Sequence, residues 1–211
     1  IRGLIIVGNG AGADETGMVN DAELVAFARA HGFGVMALGR WNNLYAASER
    51  TRFLAALSDF AARGNRPELV HVPWVAFGFS QGGGQAYSLN YHFPSRTIAI
   101  GVNKAGYSFL NGGSDTGRLD QTGVSGRPAS PDALKTPALL VAAALDDPGR
   151  ITNLTAAFNN NRGQGAPWAM LIEENMGHEK GRAYHWMLPF LADIIPLRYP
   201  ANQSAAGGQP V

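Results

Sequence analysis

The stretch Gly78-Phe79-Ser80-Gln81-Gly82 sets a serine between two glycines at the G-x-S-x-G spacing. An apolar run, Val72–Phe79, precedes it, and a helical pattern, Gln81–Tyr91, follows it. A strand that turns abruptly into a helix holds the middle residue at strained backbone angles, and small neighbours let the chain pass without a clash. The Ser80 hydroxyl then projects above the sheet edge, with the Gln81 N–H pointing the same way. The chemistry open to such a serine is nucleophilic attack on an acyl carbon. A hydroxyl needs a general base for that at neutral pH.

Sites built on this turn take their partners in the order Ser, Asp or Glu, His. His178 and His185 are the histidines near the C-terminus. His178, in Asn175-Met176-Gly177-His178-Glu179, falls just past the last apolar run, in a loop at the C-terminal end of a strand, where sites form in open α/β sheets. His185 lies inside a helical pattern beside Trp186 and Met187 and reads as a packing or surface residue. The acid should follow the fifth strand, where Asp146 and Asp147 are adjacent. Asp146 fits the strand-plus-turn spacing, and Asp147, before Pro148, suits a turn or a helix cap. A carboxylate there would fix the imidazole tautomer. An oxyanion needs a second N–H besides that of Gln81, and it is expected from the turn Gly8-Asn9-Gly10-Ala11-Gly12, at Asn9 or Gly10.

The elements that must position these groups are legible as six short apolar runs: Gly3–Val7, Phe33–Leu38, Val72–Phe79, Thr97–Val102, Ala138–Ala144 and Trp168–Glu173. Nearly continuous rather than alternating, they read as strands covered on both faces. Helical patterns lie between them. Asn20 is a candidate cap for a helix to Ala30, with Glu23 at the capping-box position. Ser48 is a candidate cap for the next helix, with Phe53, Leu54, Leu57, Phe60 and Ala61 as its buried stripe. Gln81–Tyr91, Thr152–Asn161 and Arg182–Ile195 complete the set. Strand alternating with helix predicts a three-layer α/β/α fold, with a mostly parallel sheet of about six strands and helices on both faces. One domain is expected over residues 1–199. The stretch 200–211 reads as a flexible tail, and Lys104–Thr136 as a long aperiodic loop of the kind that is often functional.

Composition narrows the options. The chain has 211 residues, 45% apolar and 16% charged, with a formal net charge of +1. The basic residues form no stripe, so neither nucleic acid nor an anionic membrane surface has electrostatic support as a partner. No cysteine is present, which removes disulfides, thiolate nucleophiles and zinc–thiolate sites. No apolar run reaches the roughly 18 residues that span a bilayer. The first residue is Ile1 and an apolar strand follows at once, which reads as a processed or trimmed start; on that reading a secreted or periplasmic setting is favoured over the cytoplasm.

Other chemistries fit less well. Gly8-Asn9-Gly10-Ala11-Gly12-Ala13 satisfies G-x-G-x-x-A after a strand, and Arg40 stands where an NADP phosphate contact would fall. Asp14-Glu15-Thr16-Gly17 interrupts the run before a helix N-terminus can meet a pyrophosphate. A non-catalytic binding protein of the same architecture would typically lack the nucleophile, the base or the acid, and all three types are present in order. His178, Glu179 and His185 lack the spacing that puts two imidazoles on one helix face, so zinc is not expected.

Taken together, the residues resemble the α/β-hydrolase superfamily over essentially the whole chain from the first strand on. Pro67-Glu68-Leu69 leading into Val72-Pro73, the turn Gly78–Gly83, Val102-Asn103-Lys104-Ala105-Gly106 and Asn161–Trp168 are similar to segments of bacterial, often exported, serine hydrolases related to polyhydroxyalkanoate depolymerases and feruloyl esterases. The resemblance implies hydrolysis of a small-molecule or polymeric carboxylic ester through an acyl-enzyme, without cofactor or metal. It also implies a lid or cap in Lys104–Thr136, with Tyr107 and Phe109 lining a pocket and Trp41 on its rim. The sequence departs from the pattern twice. Two strands usual ahead of the one at Gly3 are not in it, as in a trimmed or minimal version of the fold, and Gly8-Asn9 stands where His-Gly is common.

Overall fold

A computed structural model describes residues 1–10, 13–39, 44, 47–105, 131–203 and 210. Its centre is a six-stranded sheet of β1 (Gly3–Gly8), β2 (Phe33–Leu38), β3 (Trp74–Phe79), β4 (Thr97–Asn103), β5 (Ala138–Ala143) and β6 (Trp168–Glu173). Every pairing is parallel and the order is β2-β1-β3-β4-β5-β6. Parallel neighbours need crossovers, and helices supply them. These are α1 (Thr16–Val19), α2 (Ala22–Ala30), α3 (Ala47–Arg63), α4 (Gln81–His92), α5 (Pro148–Arg162) and α6 (Ala183–Arg198).

Alternate residues of each strand face opposite layers. Leu4 and Ile6 join Phe53 and Leu57 of α3, Ala86 and Leu89 of α4 and Leu154 of α5 in one core. Ile5 and Val7 join Met18 of α1, Leu24 of α2 and Leu191 and Ile195 of α6 in the other. With β1, β3, β4 and β5 almost wholly buried, continuous apolar runs are what these strands require. The three-layer α/β/α expectation therefore holds.

Several local expectations need correction. The helix after β1 is capped by Asp21, whose side chain accepts from the Leu24 N–H; Asn20 is taken up instead as the C-cap of α1, its side-chain amide bonded to Thr16 O. In α3, Phe53, Leu57 and Ala61 are buried, but Leu54 and Phe60 are 38% and 44% exposed, since only the i, i+4, i+8 row faces the sheet. Ser48 lies inside α3 rather than at its cap. β3 starts at Trp74 because the Val72 N–H is bonded back to Glu68 O and Pro73 has none to give. At the two described ends of the long segment Lys104–Thr136, Lys104 is wholly buried and Ala133–Lys135 form a short 3₁₀ turn. Residues 106–130 and most of the tail lie outside the described residues.

Among the described residues no helix is long and apolar enough to cross a membrane. The C-terminal ends of β1, β3, β4, β5 and β6 share one edge of the sheet: Gly8 pairs with Gly78, Phe79 with Asn103, Asn103 with Val141 and Ala143 with Glu173.

Candidate active site

Ser80 is the hinge between β3 and α4, with φ 54° and ψ −116°. Such angles are rare for a residue with a side chain and cost on the order of 1–3 kcal/mol, so surrounding contacts must impose them. The Ser80 N–H donates to Asn103 O at 2.8 Å, and Ser80 O accepts from the Gly83 N–H at 3.0 Å. Glycine is required two residues on: a Cβ at Gly82 would overlap the Gly8 carbonyl. That close approach lets the Gly82 N–H reach Asn9 O at 3.0 Å, tying the loop after β1 to the serine turn.

Opposite the serine, β6 ends at Glu173 and the chain runs irregularly to Ala183. Asn175 adopts φ 59°, a conformation asparagine tolerates better than most residues. The Leu145 N–H donates to Met176 O at 2.8 Å, and the Glu179 N–H to Gly177 O at 3.0 Å. His178 is thus the centre of a three-residue turn. Its Nε2 lies 3.0 Å from Ser80 Oγ and its Nδ1 lies 2.9 Å from Asp146 Oδ2. A carboxylate only accepts, so Nδ1 carries the proton and Nε2 of the neutral ring accepts from the serine hydroxyl. The Phe79 ring lies over the imidazole, centroids 5.0 Å apart.

The two candidate acids separate cleanly. Asp146 is 3% exposed at its side chain and faces His178. Its other oxygen accepts from the Asp147 N–H at 2.7 Å and lies 3.6 Å from Arg150 Nε. Asp147 is the N-cap of α5, accepting from the N–H groups of Gly149 and Arg150. His185 is exposed on α6, its ring against Trp186. Among the described residues no group of three or more His, Asp or Glu could hold a metal ion.

Of the expected oxyanion donors, Gln81 opens α4, at the positive end of the helix dipole and next to Ser80. The Gly10 N–H donates to its neighbour's side chain, Asn9 Oδ1, at 2.9 Å. The Asn9 carbonyl is the group that meets Gly82. After the glycines the first helix is the four-residue α1 from Thr16, which leaves the dinucleotide reading without a helix N-terminus directly behind its loop. Trp41, Tyr107, Phe109 and Arg40 lie outside the described residues.

A buried polar cluster beneath the site was not anticipated. Lys104, at φ 48° and 0% exposed, places Nζ 2.6 Å from Glu173 Oε2 and 2.7 Å from Glu179 O. Asn103 donates its side-chain amide to Lys180 O at 2.9 Å. Glu173 Oε1 accepts from the Arg182 N–H at 2.9 Å and from Trp186 Nε1 at 3.2 Å. Burial alone would raise the Glu173 carboxyl, but the Lys104 hydrogen bond, the Arg182 amide, the Lys104 charge and Trp186 together outweigh it and hold the group below the usual carboxylate range. The available signal was the Asn103-Lys104 pair directly after an unbroken apolar strand, with an acid closing another.

No protein-family model and no curated protein matches the sequence. Solved structures do match the fold. The crystal structure of esterase PE8 superposes with a TM-score of 0.62 at 19% identity, covering 92% of this chain and 93% of that one. SOBER1 of Arabidopsis thaliana gives 0.62 at 14% identity, over 92% and 100% of the two chains. A ferulic acid esterase gives 0.63 at 15% identity, over 92% and 86%. At these identities the likeness is one of fold, and the architecture is that of the α/β-hydrolases.

Proposed function

We propose that this α/β-hydrolase-fold chain is a serine esterase that cleaves carboxylic esters through an acyl-enzyme. The observation that carries the reading is the continuous chain of hydrogen bonds from Ser80 Oγ through the His178 ring to the buried Asp146 carboxylate, at 3.0 and 2.9 Å. Ser80 Oγ attacks the ester carbonyl carbon while His178 Nε2 takes its proton. Asp146 orients the ring and stabilises the imidazolium that forms. The Gln81 N–H, with that of Asn9, holds the oxyanion, the Gly10 N–H being taken up by Asn9 Oδ1 at 2.9 Å. His178 then protonates the departing alcohol oxygen, and water repeats the sequence to release the acid and restore Ser80.

The esterases that share the fold make an ester the natural acyl donor. Ser80→Ala should lower turnover of a p-nitrophenyl acyl ester by about 10⁴-fold or more with the circular dichroism spectrum unchanged. A fluorophosphonate probe should modify Ser80 in the native protein and leave Ser80→Ala unmodified. Wild-type protein that neither hydrolyses short-chain, aromatic or polyester substrates nor takes up the probe would refute the reading.

A further inference from the structure

We propose that Lys104 is a positioning residue for the catalytic base: a buried ammonium that pins the turn carrying His178, acting with Asn103 and Glu173. This rests on reading Ser80, His178 and Asp146 as the catalytic triad. His178 belongs to no helix or strand, and the turn it centres joins β6 to α6. Its exit is nonetheless held at three nearby points. Lys104 Nζ bonds Glu179 O, Asn103 bonds Lys180 O and Glu173 bonds the Arg182 N–H, at 2.7, 2.9 and 2.9 Å. The first of these points is the residue directly after the base.

Stability does not account for the cluster. A buried ion pair is often no better for folding than an apolar pair of the same volume. Its distinguishing property here is connectivity. The Asn103 carbonyl receives the Ser80 N–H at 2.8 Å, and the Lys104 N–H donates to Val141 O at 2.7 Å, so the two adjacent residues of one strand end fix the nucleophile turn and the base turn to the same sheet edge. Gly181, at φ 57°, leaves room for the pair: a Cβ there would stand 2.6 Å from Lys104 Nζ and overlap Glu173 Oε2.

The test separates positioning from charge balance. Lys104→Met with Glu173→Gln removes both charges, fills the space of the lysine stem and keeps an acceptor for the Arg182 amide, but leaves Glu179 O without its ammonium. Gly181→Ala, which pushes the turn off an intact pair, is the second variant. Each should lower kcat on a p-nitrophenyl ester about 10- to 100-fold with KM within about twofold, because a misplaced base slows the chemical step. Amide hydrogen exchange across residues 176–182 should accelerate about tenfold or more, while β1, β3 and β4 keep wild-type protection. A kcat within about twofold of wild type with unchanged exchange in 176–182 overturns the proposal. So does exchange that rises equally throughout the sheet in both variants. Wild-type protein inert to esters and to the fluorophosphonate would refute the esterase reading alone, and the exchange comparison would still decide whether Lys104 holds the turn.

Discussion

Asp146→Asn is the sharpest probe of the proposed mechanism, because the structure dictates which way the new amide must face. Asp146 Oδ1 accepts from the Asp147 backbone N–H at 2.7 Å. An asparagine keeps that bond only by leaving its oxygen there, which puts its NH₂ where Oδ2 now meets His178 Nδ1 at 2.9 Å. Two donors cannot face each other. The ring must shed the Nδ1 proton and carry it on Nε2, pointing at Ser80, where it has no lone pair for the hydroxyl proton. The group stays buried and its shape is unchanged, so the loss is one of tautomer. Losses of this kind are about 10³–10⁴ in kcat, or about 4–5.5 kcal/mol at 1.36 kcal/mol per decade.

Asp147→Asn is the matched control. Asparagine caps a helix about as well as aspartate, so activity should stay within about twofold, and Asp147→Ala should cost about 1 kcal/mol of stability with activity retained. Initial rates on p-nitrophenyl acetate and butyrate at saturating substrate, with thermal melts of all three variants, measure both effects. Asp146→Asn retaining a tenth of wild-type turnover, or Asp147→Asn losing as much as Asp146→Asn, would refute the assignment of the acid.

Three further outcomes follow from the packing. Gly82→Ala forces the start of α4 away from the Gly8 carbonyl; it should cost about 1–3 kcal/mol and more than tenfold in turnover, and wild-type rates would show that the serine turn tolerates the shift. Lys104→Met alone leaves the Glu173 carboxylate buried without its cation, and should lower stability by about 3–5 kcal/mol, read as a Tm drop on the order of 10 °C. The Glu173 carboxyl is held below its ordinary value of 4.5, so in acid the unfolded chain binds the proton that the folded one refuses. Its stabilising contribution is complete above about pH 4.5 and is lost as pH falls through the lower folded value. Lys104→Met should therefore flatten the acid limb of a urea-midpoint-against-pH curve, and an unchanged limb would show that the lysine does not depress Glu173.

The architecture was legible because both faces of the sheet are covered. Continuous burial imposes continuous apolar runs on β1, β3, β4 and β5, and such runs stand out without any partner being known. The serine turn was legible for a related reason: the overlap between Gly82 and Gly8 and the left-handed Ser80 leave few residue choices. What failed was local competition. Asn20 and Asp21 are both good caps, and the four-residue α1, too short to announce itself, claims the first and leaves α2 the second. Leu54 and Phe60 sit at the margins of a stripe whose width depends on how α3 meets the sheet, which periodicity does not encode.

Lys104 was hidden for a deeper reason. In sequence it opens a polar, glycine-rich stretch, where a lysine is ordinarily solvated; it is buried only because Glu173, 69 residues later, ends the strand one place beyond β5. The parallel topology brings successive strand ends to one edge of the sheet, and residues remote in sequence meet there as a matter of connectivity. Ser80, Asn103 and Asp146 stand at or just past the ends of β3, β4 and β5, and Glu173 and His178 at the end of β6 and on the loop that follows it. A base that must lie within hydrogen-bonding reach of a nucleophile on another strand needs both turns referred to common ground. At the end of β4, beside the serine strand, Asn103 bonds both turns, through its carbonyl to the Ser80 N–H and through its side-chain amide to Lys180 O, and Lys104 next to it holds Glu179 O.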